Sequence, residues 1–223
     1  MNNWHIEQGD ALELMKKLPD KFVNLVLTDP PYGILNGNEK IGGDNGTKAR
    51  RFKKIDWDVK PSLDYFMQLI RVSKNQVIFG GEYFSDMLPQ SRGWYVWDKV
   101  KTGEIQLADT ELIWTSFNRP NRLIKFAWNG FLKDGSTYQK RNILHPTQKP
   151  VELLRQLIEE NSESGDLVLD PFMGSGSVGI ACLQSGRRFI GYELNSHYFK
   201  IAKMRIEDEA RQMKLPILTE VLL

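Results

Sequence analysis

The stretch Leu167-Val-Leu-Asp-Pro-Phe-Met-Gly-Ser-Gly-Ser-Val-Gly-Ile-Ala-Cys-Leu-Gln184 decides the fold. It opens as a short buried strand over 167–170, turns at a glycine-rich loop, and runs on as a helix over about 178–184. The next apolar run, Phe189-Ile-Gly-Tyr-Glu193, reads as a second strand. Strand, glycine-rich turn, helix, strand is a βαβ unit, which implies a parallel sheet with helices on both faces. Glycines in such a turn let a ligand approach the backbone, and the helix start offers unpaired N–H groups. Asp170 ends the first strand and Glu193 the second. In nucleotide-type sites an acid in the place of Glu193 grips ribose hydroxyls. The dinucleotide pattern G-x-G-x-x-G is absent, so the ligand expected here carries a nucleoside but is not held by a pyrophosphate.

Working outward, Val151 to Glu160 has the spacing of a helix, with Pro150 just before it. Residues 196–213 form a longer amphipathic helix. Upstream, residues 4–6, 24–28, 76–79, 94–97 and 111–114 are candidate strands, rich in Trp, Tyr, Val, Leu and Ile. Leu63, Phe66, Met67 and Ile70 repeat at helical spacing, and Gly80-Gly81 closes the apolar run at 76–79. Two segments look irregular. Residues 33–60 hold five glycines and the cations Lys48, Arg50, Arg51, Lys53 and Lys54. A structureless stretch of that length in a compact domain is a mobile or binding loop. Residues 117–145 carry Arg119, Arg122, Lys125, Lys133, Lys140 and Arg141 among Phe126, Trp128, Phe131 and Tyr138.

The strand at 24–28 runs into Asp29-Pro30-Pro31-Tyr32. Two prolines cannot continue a strand ladder, and they hold the backbone stiffly without donating hydrogen bonds. The Asp29 carboxylate and the Pro30 carbonyl then converge as two acceptors, beside the flat face of Tyr32. Two acceptors and a ring suit an exocyclic amino group on a planar base.

Composition narrows the field further. The chain has 223 residues, with 30 Lys+Arg against 28 Asp+Glu, 41% hydrophobic and 26% charged. That is an ordinary globular balance and a single domain's length. One cysteine, Cys182, excludes an intrachain disulfide and a multi-cysteine zinc site, and its apolar neighbours make it a buried small residue. No apolar run approaches the ~20 residues of a membrane span. The mixed, acidic N-terminus does not read as a signal peptide, so a cytoplasmic location is expected.

Taken together, these motifs resemble those of S-adenosylmethionine-dependent DNA amino-methyltransferases. D-P-P-Y at 29–32 is similar to that family's catalytic tetrad, and D-P-F-M-G-S-G-S at 170–177 to its cofactor loop. The tetrad comes first, an order that resembles the beta group of these enzymes. His145-Pro-Thr-Gln-Lys-Pro150 is similar to the segment opening the cofactor half in that group, and Gly9-Asp10 to the contact with the cofactor adenine. The resemblance implies an α/β, Rossmann-like fold: a circularly permuted, seven-stranded, mostly parallel sheet in the order 3-2-1-4-5-7-6. It implies one catalytic domain over 1–223, with 33–60 as a mobile or DNA-facing loop and 117–145 as a short target-recognition insertion.

The resemblance also implies the parts. S-adenosylmethionine is the cofactor, with Asp10 at its adenine and Glu193 at its ribose. Asp170, Phe172, Gly174, Ser175, Gly176 and Ser177 line the methionine end, with Thr147 and Lys149 as further contacts there. Asp29, Pro30, Pro31 and Tyr32 are the catalytic set, and no metal is required. Double-stranded DNA is the partner, met by Lys48, Arg50, Arg51, Lys53, Lys54, Arg119, Arg122, Lys140 and Arg141. No membrane is involved, and a homodimer and a cognate restriction endonuclease are compatible further partners. A tetrad beginning with Asp favours N6-adenine over N4-cytosine. The competing readings are an RNA adenine enzyme, a protein glutamine methyltransferase, whose tetrad usually begins with Asn, and an inactive DNA-binding relative. C5-cytosine chemistry is excluded, because the surroundings of Cys182 offer no suitable nucleophile.

Overall fold

The computed structural model describes residues 3–34, 58–100, 108–127 and 148–213. In chain order the elements are β1 (Trp4–Gln8), α1 (Ala11–Lys16), β2 (Val23–Thr28), α2 (Leu63–Val72), β3 (Ser73–Phe79), β4 (Trp94–Asp98) and β5 (Thr110–Thr115). There follow β6 (Arg122–Lys125), α3 (Val151–Asn161), β7 (Leu167–Asp170), α4 (Ser177–Gln184), β8 (Arg188–Glu193) and α5 (Ser196–Gln212). A 3-10 turn, Gly81–Phe84, follows β3.

The strands form one sheet in the order β1-β8-β7-β2-β3-β5-β4-β6. Only β5 runs against its neighbours; the other pairings are parallel. The first seven positions reproduce the expected 3-2-1-4-5-7-6 order. The expected strand count was one too low: β6 adds an eighth, parallel to β4 at the sheet edge. Residues 122–125 therefore leave the irregular segment expected over 117–145. Arg-Leu-Ile-Lys alternates too briefly to register as a strand on its own; its pairing with Tyr95 to Asp98 makes it one.

The central strands are buried throughout, as parallel strands covered on both faces must be. Alternation sends Leu25, Leu27, Val77, Phe79 and Val168 into one core with α3, α4 and α5. Val26, Ile78, Leu167 and Leu169 enter the other, with α1 and α2. Cys182 is fully buried in the first.

The helix read around residues 63–70 exists, but it buries a different stripe. Tyr65, Phe66, Leu69 and Val72 face the core, while Leu63 and Met67 are exposed. Both stripes have helical spacing. The deciding factor is the position of α2 against α1 and Phe84, where Phe66 meets Phe84 at 4.9 Å.

Candidate active site

The two short motifs meet at the carboxyl ends of β2 and β7, which are hydrogen-bonded neighbours. Ligands in such sheets bind beyond the strand ends where the connections diverge. Thr28, the last residue of β2, donates its hydroxyl to Asp170 Oδ1 at 2.9 Å. One side-chain hydrogen bond therefore joins the strand that presents Asp29 to the strand that presents the glycine-rich loop.

At the β2 tip, Asp29 is gripped from two sides. The Tyr32 hydroxyl donates to Oδ1 at 2.6 Å, and Lys149 Nζ donates to Oδ2 at 2.6 Å. Glu111, from β5, receives the same lysine at 3.0 Å and Lys99 at 2.9 Å, and its carboxylate lies 3.1 Å from the Tyr32 hydroxyl. Lys149 also sits over the Phe79 ring, 4.8 Å from its centre. Burial pushes the Asp29 carboxyl above the usual range; the Lys149 charge opposes this, and Glu111 reinforces it. Burial would raise Glu111 too, but the charges of Lys149 and Lys99 overcome it and bring the group down to about 2. Burial opposes the charge on Lys149, yet Asp29 and Glu111 hold its pKa above the ordinary lysine value. The cluster is thus a cation held between two acids, with a second lysine behind.

The Tyr32 ring is packed as well. Tyr83 stacks on it with ring centres 4.6 Å apart and planes 17° from parallel. Gly80 passes so close that a Cβ there would sit 2.3 Å from the ring, and its φ of +63° is one that L side chains rarely adopt. Glycine is required at that turn for both reasons.

At the β7 tip the chemistry differs. Asp170 is 3% exposed, and Oδ1 accepts both the Thr28 hydroxyl and the Phe172 N–H. Burial raises its carboxyl to about 7. Glu193, at the end of β8, is less enclosed. Oε2 accepts the Gly174 N–H at 2.9 Å and Oε1 the Asn195 N–H at 2.7 Å. Each oxygen keeps a further lone-pair position, enough to receive the two hydroxyls of a ribose. Asp10 stands next to this acid, because the Gly9 N–H bonds the Glu193 carbonyl. Asp10 caps α1 by accepting the Glu13 N–H. Two acids at adjoining strand tips beside a glycine-rich loop fit a nucleoside cofactor.

The remaining expected residues separate into groups. Ser175 and Ser177 are buried and bonded to Arg205 of α5, and Gly176 caps α4 in the left-handed region with Ala202 close behind. Phe172 and Gly174 are partly exposed, and Phe172 packs on Tyr65 at 5.0 Å. Pro30 is buried and Pro31 partly so. Lys149 lies at the catalytic tip, on Asp29 and Glu111. Arg119 is turned to the protein: it donates to the Tyr95 hydroxyl and to Asn161 Oδ1, each at 2.6 Å. Arg122 is exposed on β6. Thr147, Lys48, Arg50, Arg51, Lys53, Lys54, Lys140 and Arg141 lie outside the described residues. Glu111, Lys99, Tyr83 and Arg205 join the site without having been singled out in the sequence. For Glu111 the one signal was a lone acid beside the apolar run Leu-Ile-Trp in β5.

Comparison with known proteins shows what the chain as a whole is similar to. The DNA methylase family of N6 and N4 methyltransferases matches residues 96–204. The resemblance read from the motifs is borne out as a likeness: the chain is similar to S-adenosylmethionine-dependent DNA amino-methyltransferases, and it shares their fold. Two named relatives are similar along most of their length. Type II methyltransferase M2.DpnII of Streptococcus pneumoniae is 26% identical over 93% of this chain and 91% of its own. DNA adenine methyltransferase YhdJ of Escherichia coli is 27% identical over 91% and 82%. Among solved structures, the M1.HpyAVI complex with S-adenosylmethionine is 25% identical, covers 91% of this chain and 98% of that one, and superposes with a TM-score of 0.54.

Proposed function

We propose that this chain transfers a methyl group from S-adenosylmethionine to the N6 amino group of adenine in duplex DNA, acting on a base turned out of the helix. The observation that carries the reading is the junction of the two tips: Asp29-Pro30-Pro31-Tyr32 linked through Thr28 to Asp170 and the cofactor loop. The names of the relatives, two of them adenine or type II DNA methyltransferases, support the substrate class.

The chemistry asks for little beyond placement. S-adenosylmethionine, when bound, supplies an activated methyl group on a sulfonium centre. An exocyclic amino nitrogen is a poor nucleophile, because its lone pair is delocalised into the ring. Hydrogen bonds from that amino group to Asp29 and the Pro30 carbonyl would favour a more tetrahedral nitrogen with its lone pair free to react, and the proton that nitrogen sheds on methylation would leave along its bond to Asp29. Positioning and fixed electrostatics supply most of the rate. Lys149 and Tyr32 hold the Asp29 carboxylate in place. A base within a duplex cannot reach this arrangement, so it must be extruded. The reading places the enzyme in the cytoplasm, with a second copy and a cognate restriction endonuclease as the further partners it allows.

Tritiated methyl transfer to duplex DNA, followed by mass spectrometry of the digested nucleosides, tests this. N6-methyladenine is the expected product. N4-methylcytosine would move the assignment to the other base, and label found only in RNA or protein acceptors would overturn it.

A further inference from the structure

Glu111 lies 82 positions beyond Asp29 in the chain, yet it is built into the same cluster. Its side chain is 11% exposed, a costly place for a carboxylate unless its partners are charged. Every partner it has in the cluster leads to the catalytic tip or braces it. Oε1 faces Lys149 at 3.0 Å and the Tyr32 hydroxyl at 3.1 Å, and Oε2 receives Lys99 at 2.9 Å. Lys149 and Tyr32 are also the two groups that take hold of Asp29, one on each oxygen. The phenol has a single proton and two carboxylates within reach, so where that proton points depends on both acids.

We propose that Glu111 is a positioning residue for methyl transfer, acting through Lys149 and Tyr32 to fix the orientation of the Asp29 carboxylate toward the target amino group. The inference rests on the methyltransferase reading above. Its physical basis is geometric. Lys149 on a flexible four-carbon stem could swing away from Asp29; a second anion on its far side and the Phe79 ring beneath it leave it one position. Tyr32 is restrained in turn by the Tyr83 stack. Glu111 is thus the anchor for both of the arms that hold Asp29, and Lys99 from the end of β4 anchors Glu111.

The groups that set the charge around Asp29 are Tyr32 on its own loop, Lys149 before α3, Glu111 on β5, and Asp170 on the neighbouring strand, which feels its charge. Lys99, Glu82 and Tyr83 surround Glu111. Glu111 raises the Asp29 carboxyl directly but holds in place Lys149, whose charge lowers it more strongly, so freeing that lysine raises the carboxyl.

The test compares the wild type with Glu111→Gln and Glu111→Asp. The first removes the charge at constant shape; the second keeps the charge but draws it back from Lys149 and Tyr32. In both, kcat for DNA methylation is expected to fall by about tenfold or more, the loss of one charge-assisted contact, while KM for S-adenosylmethionine stays within about twofold. In Glu111→Gln the acid limb of kcat moves to higher pH. Carbon-13 titration of the Asp29 carboxyl, which needs no substrate, moves the same way. Wild-type kcat in both variants, or an Asp29 titration unmoved in Glu111→Gln, overturns the proposal and leaves the methyltransferase reading intact. Absence of DNA methylation by the wild type overturns the reading and the proposal together, and is recognised because it occurs before any substitution is made.

Discussion

Asp29 and Asp170 stand at the tips of neighbouring parallel strands, and they differ in exposure and in partners. Asp29 keeps 21% of its side chain exposed and is held by an ammonium and a phenol. Asp170 is 3% exposed and is held by a threonine hydroxyl and a backbone N–H. Burial raises both carboxyls, but at Asp29 a cation opposes it, whereas at Asp170 only neutral donors do. Partners of the first kind oppose the loss of a carboxylate's charge and fix both of its oxygens. Partners of the second kind make it a clamp for a loop. Identical residues at one sheet edge thus acquire unlike tasks from what stands beside them.

The largest expected effect comes from breaking the acid with the charged partner. Asp29→Ala should reduce methyl transfer by about a hundredfold to a thousandfold, the scale of losing one preorganised hydrogen-bonding group at a reacting centre. Cofactor affinity measured by calorimetry should be unchanged in the same variant; full transfer activity would dissolve the contrast between the two tips. Next is the cofactor side. Glu193→Gln should weaken S-adenosylmethionine binding by about tenfold, the worth of a charge-assisted hydrogen bond. Its kcat at saturating cofactor should stay near the wild-type value, and an unchanged dissociation constant would remove Glu193 from the ribose contact.

The smallest effect sharpens the clamp. Burial pushes the folded-state Asp170 carboxyl up to about 7, from an ordinary 3.8. A carboxyl raised by folding favours the folded state fully below its unfolded pKa, and that contribution disappears as pH climbs through the folded value. Stability should therefore decline between about pH 4 and pH 7 on this group's account. Asp170→Asn keeps the acceptor oxygen for Thr28 and Phe172 but cannot ionise. Its Tm should vary less between pH 5 and pH 8 than that of the wild type, and parallel curves would show that the clamp is already charged.

The parts legible in the sequence were those whose signal is local. The run 167–193 contains its own strand, turn, helix and strand, so the βαβ unit was legible there, while the sheet order came only with the family resemblance. The tetrad was legible because two prolines after an acid restrict the backbone visibly. What escaped depends on distance along the chain. Lys149 was picked out, but its bond to Asp29 spans 120 positions, and no spacing rule reaches that far. Glu111 is the acid of β5 and gains its place only when that strand settles between β3 and β4. Arg119 looked like one of several cations beside aromatics. Its partners, Tyr95 and Asn161, come from β4 and the end of α3, so its inward turn was set by the fold. The face of α2 was ambiguous for a related reason: two apolar stripes compete on one helix, and the neighbouring helix chooses.

The pairing of β2 with β7 has a consequence for tolerance to change. Hydrogen-bonded strands lie about 4.8 Å apart whatever side chains they carry. The span between the acceptor half and the donor half of the chemistry is therefore inherited from the backbone's own repeat. Loops and surface residues around the two tips can drift widely in sequence while the gauge between them stays constant, as railway sleepers hold a track whose rails are replaced.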